Sequence, residues 1–197
     1  MVRFVPTPFN ALASISRFNP IVMELNELIK DCAYRQKKGL HFIISSIVIW
    51  LLILGVHLTN LTIEQKDILT FCCSAVLFPL AWMLSKALKI DFEGKGNPLT
   101  KAGILFSVNQ MLYILIAMWT LAAVPEKMLM VYAMIFGAHL MPFSWLYQSK
   151  SYLVFSIAVP ILSLIVGLFY PPYVLAAIMV IIETVFSICL YAECKRL

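Results

Sequence analysis

Six long apolar runs, 41–59, 68–88, 102–124, 128–147, 151–169 and 172–192, take up most of this chain of 197 residues. Each is close to the ~20 apolar residues that an α-helix needs to cross the hydrocarbon core of a bilayer. Peptide groups in hydrocarbon find no water, so each run must satisfy its own backbone as a helix. The alternating short strands of a membrane barrel are absent. The last three connections, Pro125-Glu126-Lys127, Gln148-Ser149-Lys150 and Tyr170-Pro171-Pro172, are too short for anything but antiparallel neighbours. The double proline cannot continue a helix and suits a hairpin followed by a new first turn. The pattern predicts an all-α polytopic integral membrane protein of six transmembrane helices, with five spans or a re-entrant segment as the alternative. Composition agrees: 62% of residues are hydrophobic and 13% charged, against roughly 45–50% and 25% in a soluble domain. A net charge of only +5 on so apolar a chain also excludes disorder.

Charge fixes an expected orientation. Of the 15 Lys and Arg, only Lys66 and Lys127 fall on one side of the six spans, and all the others share the opposite side. The positive-inside rule puts that richer side, and with it both termini, in the cytoplasm. The chain then divides into a cytoplasmic arm at 1–40, a transmembrane domain at 41–192 and a cytoplasmic tail at 193–197. Residues 1–22 hold two arginines, three prolines and no acid, without the apolar core of a cleaved secretory signal. They stand either as part of the natural chain or as an extension ahead of a start at Met23. From Met23, the residues Leu25, Leu28, Ile29, Cys32 and Ala33 recur at helical spacing, predicting an amphipathic helix at 23–38 lying on the inner leaflet. Lys37 and Lys38 set topology on the plain reading; on the functional one the arm docks an anionic lipid or a partner. The five cysteines show no metal-ligand or redox spacing and read as packing residues.

Ionisable and amide groups inside spans are costly and mark candidate sites. Glu183 is the carboxylate expected within a span, about 13–14 Å from the basic end at 1.5 Å per residue. Counted from the same side, His139 lies about 12 Å deep and the pair Asn109-Gln110 about 10–12 Å deep. Three helices thus offer one polar layer, in which a His139–Glu183 pair can share a proton or bind a cation. Pro79, Pro142 and Pro160 each remove a backbone donor and free the carbonyl of Ala75, Ala138 or Ser156. Freed carbonyls at this depth line ion sites in broken-helix transporters, whereas a simple kink is the common outcome. His41 and His57 read as interfacial, and the tryptophans as belt or packing residues. Zinc, serine-nucleophile and phosphate-loop motifs are missing, and nothing calls for a cofactor or for nucleic acid.

The segments Lys95-Gly-Asn-Pro-Leu-Thr-Lys101, Ser107-Val-Asn-Gln-Met-Leu-Tyr113 and Gly137-Ala-His-Leu-Met-Pro-Phe-Ser-Trp-Leu-Tyr147 resemble an uncharacterised family of small bacterial polytopic membrane proteins. The resemblance spans most of 23–192. It implies a helical bundle in the bacterial cytoplasmic membrane and carries no activity and no functional residue. Two functions remain. One is a proton- or cation-linked transporter or channel-like protein, with Glu183 and His139 as the ionisable pair and Asn109 and Gln110 orienting a small solute. The other is a non-transporting scaffold or sensor, in which the same residues only join helices. An intramembrane enzyme lacks a nucleophile or metal set. The lipid bilayer is the one partner the sequence implies, and it leaves oligomeric state open.

Overall fold

The computed structural model describes residues 20–92, 94 and 96–197. The first nineteen residues, and with them the choice of Met1 as start, lie outside the described residues. Six helical stretches are long and apolar enough to cross a membrane: Lys37–His57, Ile63–Ala87, Leu99–Ala123, Pro125–Leu146, Lys150–Phe169 and Pro172–Cys194. They coincide with the six apolar runs, and the chain is an all-α multi-pass membrane protein. Among the described residues there is no β-strand.

Local chemistry sets the helix boundaries. Helix α1 (Pro20–Arg35) stops short of the expected residue 38. The three residues Lys37, Lys38 and Gly39 have φ of 43°, 49° and 70°, a left-handed corner that no right-handed helix can run through. Helix α2 (Leu40–His57) leaves that corner as the first span. Helix α3 (Ile63–Ala75) begins at a capping box, where Thr62 Oγ1 accepts the Gln65 N–H and Gln65 Oε1 accepts the Thr62 N–H.

Helix α3 passes into α4 (Leu77–Ala87) through Val76, just ahead of Pro79, whose ring in an unbroken helix would collide with the carbonyl of Ala75. The Val76 N–H turns back to Cys73 O at 3.2 Å, a locally tightened turn. The third span is one unbroken helix, α5 (Leu99–Ala123). The fourth breaks at His139-Leu140, ahead of Pro142, into α6 (Met128–Ala138) and α7 (Met141–Leu146). Helix α8 (Lys150–Phe169) carries Pro160 without a break, and α9 (Pro172–Cys194) opens on a proline in its first turn.

Helices α2 and α9 pack together, as do α6 and α8, and these four make the centre of the bundle. Ile49, Trp50, Ile53, Leu129, Val159 and Met179 fill it. Helices α3, α4 and α5 lie at the edges: 11% of the apolar window of the third span is buried, against 50% of the first. Helix α1 departs from expectation. Its apolar stripe is not left for the leaflet, because the corner at 37–39 folds it back onto the bundle, where Cys32 and Ala33 join Leu40, Leu146, Tyr147 and Leu190. Burial pushes the Cys32 thiol up to about 11, which leaves it a packing group.

The α6–α8 seam depends on a glycine. A Cβ on Gly137 would stand 2.6 Å from Pro160 Cδ and 2.7 Å from Val159 Cβ, closer than side-chain carbons approach. Gly137→Ala therefore lowers stability by about 1–3 kcal/mol, the usual cost of overpacking. Gly55→Ala, where nothing lies within 4 Å, is neutral or stabilising by about 0.5–1 kcal/mol. Thermal unfolding of both variants in detergent checks the contrast.

Candidate functional site

The carboxyl of Glu183 is fully buried on α9 and faces α2. Its Oε2 lies 2.5 Å from Ser46 Oγ, and the same hydroxyl lies 2.7 Å from the Ile43 carbonyl. One hydroxyl hydrogen cannot serve two acceptors. The Ser46 hydroxyl therefore stands between the Glu183 carboxyl of α9 and the Ile43 carbonyl of its own helix, and donates to one of them at a time. Glu183 Oε1 and, one helical turn on, Ser187 Oγ are buried with no partner among the described residues.

The other residues of the expected layer turn elsewhere. His139 sits at the α6–α7 break with Nδ1 against the Phe136 carbonyl of its own helix. Its ring stands edge-on to Phe136 and Phe143. Asn109 is on the exposed face of α5, where its amide donates to Tyr113 Oη at 2.9 Å. Gln110, beside it, is half-buried. Among the described residues no hydrogen bond joins Glu183 to His139, Asn109 or Gln110; its one partner is Ser46. Pro79 and Pro142 follow helix breaks, and Pro160 lies against Gly137.

The sequence reading missed three features. Ser46 is the partner of Glu183, and one hydroxyl among the many in apolar runs gives no signal. A second buried carboxylate, Asp67, lies inside the second span with both oxygens unpartnered among the described residues. The signal for it exists: Thr62-Ile-Glu-Gln65 is a capping box that starts the helix at residue 63 and draws Asp67 into it. Around this end His57, the last residue of the first span and buried, has Nε2 at 3.3 Å from Thr70 Oγ1, and Lys66 donates to the His57 carbonyl. Ser74 and Tyr132 pair through their hydroxyls at 2.6 Å. His41 is buried as well, packed on Phe42 and Phe92.

The third feature is the polar network at the basic end. Four donors converge on Glu193: Lys38 Nζ (2.8 Å) and Ser149 Oγ (2.7 Å) on Oε2, Ser151 N–H (2.8 Å) and Ser151 Oγ (2.7 Å) on Oε1. The carboxylate thus occupies the N-terminus of α8, where the helix dipole favours negative charge. Tyr152 Oη donates to the Lys38 carbonyl at 2.9 Å, and Lys37 Nζ to the Leu88 carbonyl at 2.7 Å. The connection that leads into α5 is fastened to α1 through Asn97. The Asn97 amide donates to Leu28 O (2.8 Å) and Asp31 Oδ2 (2.9 Å). That amide and the Arg35 guanidinium hold the Asp31 carboxyl below its ordinary range.

Two clefts, of about 520 and 580 Å³, open at this basic end, and neither is lined by a residue of the expected layer. Among the described residues, no three His, Cys, Asp or Glu side chains are placed to hold a metal ion. In comparison with known proteins, the model of a family described as "Family of unknown function (DUF7010)" matches residues 25–193. No curated protein and no solved structure matches.

The Lys38–Glu193 pair is shielded, with 7% and 21% of the two side chains exposed. Lys38→Met or Glu193→Gln alone leaves one charge without its partner and costs about 3 kcal/mol or somewhat less. The double variant recovers a large part of that loss. A double-mutant cycle read by thermal unfolding in detergent checks the coupling, and additive losses would show that the two groups act separately.

Proposed function

As the chain belongs to this DUF7010 family, whose description assigns no activity, its function must be read from the molecule, and we propose that it is a non-transporting membrane scaffold or sensor. One observation carries this reading: Glu183 is fully buried and makes its one hydrogen bond to the neighbouring helix through Ser46. A carboxyl so placed joins the first and last spans, as polar groups do between helices in lipid. His139 and Asn109 support the same view, since each is satisfied within its own helix or helix pair. The open clefts lie at the basic end, between α1, the 88–91 segment and the end of α9. By the charge count that end faces the cytoplasm, with both termini inside, and the resemblance of the sequence favours the bacterial cytoplasmic membrane.

A proton- or cation-linked transporter is the second reading. It is favoured by Glu183 Oε1 and Ser187 Oγ, two buried oxygens one helical turn apart that have no hydrogen-bond partner among the described residues and that a bound cation would satisfy. Protein reconstituted in vesicles that enclose a pH-sensitive dye separates the two. On the scaffold reading, wild type and Glu183→Gln give the same proton and cation flux as empty vesicles. Ser46→Ala then lowers the unfolding stability by about 1–3 kcal/mol, the cost of an unmade buried hydrogen bond. Flux in the wild type that Glu183→Gln abolishes without loss of folding would overturn the scaffold reading and establish the transporter.

A further inference from the structure

The larger cleft has a chemistry of its own, independent of whether the bundle transports anything. Its wall is formed by four cations, Arg35, Lys37, Lys89 and Lys195, supplied by the end of α1, the left-handed corner, the residues after α4 and the end of α9. The lining includes one side-chain carboxylate among the described residues, Asp91, and Arg35 is paired with Asp31 at 2.7 Å. Segments far apart in sequence therefore bring a net positive charge to one hollow of about 580 Å³. Like charges brought together repel, and an anion in the hollow offsets that cost.

The place of the cleft identifies the anion. Leu40, Leu88 and Tyr191 line it too, and they belong to the first turn of the first span, the end of the second and the last turns of the sixth. The hollow thus straddles the boundary where apolar helix gives way to charge. Tyr191 is half exposed, and the Lys195 ammonium stands 4.7 Å from its ring centroid. An aromatic ring and a lysine at this level are the pairing found at bilayer interfaces. A soluble phosphate would need only the cations. A lipid uses both parts, its phosphate among the cations and its acyl chains along Leu88 and the exposed apolar flank of α4, where Trp82 and Met83 are open.

We propose that this cleft binds the headgroup of an anionic phospholipid, held by Lys89 and Lys195, with Arg35, paired to Asp31, and Lys37, fixed to the Leu88 carbonyl, as parts of its wall. Basic hollows between the ends of transmembrane helices recognise phosphate headgroups in this way. The left-handed backbone of Lys89, φ 53°, ends α4 in a Schellman turn, with the Ile90 N–H on the Ser85 carbonyl at 2.8 Å, and sets this lysine at the edge of the hollow. The cleft also gives the arm a role in a composite site, with α1 packed on protein and its last turn forming part of the wall.

The test uses the full chain in nanodiscs of phosphatidylcholine with a fluorescent phosphatidylglycerol added in increasing amounts. The wild type is expected to take up phosphatidylglycerol in preference to phosphatidylcholine, and Lys89→Ser with Lys195→Ser to weaken that uptake at least fivefold. Asp91→Asn, which removes the one side-chain carboxylate among the described lining residues and keeps its oxygen for the Gly94 N–H, is expected to strengthen uptake, so a misfolded lysine variant does not leave the matter undecided. Lys66→Ser with Lys127→Ser, at the far end of the bundle, should change nothing. Equal uptake of the two lipids, or uptake indifferent to both the lysine and the Asp91 variants, overturns the proposal. So does full competition by millimolar inorganic phosphate, which would make the cleft a site for a soluble anion.

Discussion

Everything at the basic end depends on a three-residue corner. Lys37, Lys38 and Gly39 take left-handed backbone, where two of the three pay the Cβ penalty of about 1–2 kcal/mol each. The corner persists because each of its groups is taken up elsewhere. Lys38 Nζ reaches Glu193 at the end of α9, the Lys38 carbonyl accepts Tyr152 Oη from α8, and Lys37 Nζ reaches the end of α4. Hydrogen bonds to charged groups are worth about 1.5–3 kcal/mol, enough to offset the strain. Gly39 completes the corner: a Cβ there would meet Tyr152 Oη at 3.1 Å. The corner decides the direction of α1, and so also where the connection 91–98 finds Asn97 its partners.

This explains which parts of the structure could be read from the sequence. The spans were legible because hydrocarbon imposes one rule on every residue in it, and length and apolarity suffice to detect it. Two of the three prolines lie where the helix breaks, since the missing donor is a local property of the chain. Rotation was not legible. Counted at 1.5 Å per residue, the sequence expects Glu183, His139 and Asn109 in one layer, but a helix turns about 100° per residue, and the face each residue presents is set by neighbours that sequence does not name. Glu183 faces α2, His139 folds onto Phe136 and Asn109 looks outward. Asp67 was hidden by a boundary placed at 68, although the capping residues before it mark an earlier start.

The basic residues carry a related lesson. Counting them gives topology and nothing more, because the count is blind to partners. In the fold, Lys38 is a buried half of an ion pair, Lys37 caps a neighbouring helix, and Lys127 donates to the Gly167 carbonyl. Lys89 and Lys195 instead line an open hollow. The same residue type thus serves three purposes, and only the tertiary contacts divide them.

Polarity in a membrane span is often equated with a site, and α5 shows why the step needs geometry. Its apolar window is the least buried of the six, yet it carries Asn109 toward the outside. An unmade amide there would demand a partner, because hydrocarbon offers none. Asn109 finds one a turn away in Tyr113 on its own helix, so the cost is met locally and no neighbour is called for. Glu183 is the opposite case: its own helix supplies nothing, and a second helix must. A polar residue satisfied at i+4 reports on its helix alone, and one satisfied across a seam reports on the assembly of the bundle. By that distinction, Glu183 with Ser46 and Glu193 with Lys38 define how the first and last spans are held together, one pair within the apolar core and one at its basic edge.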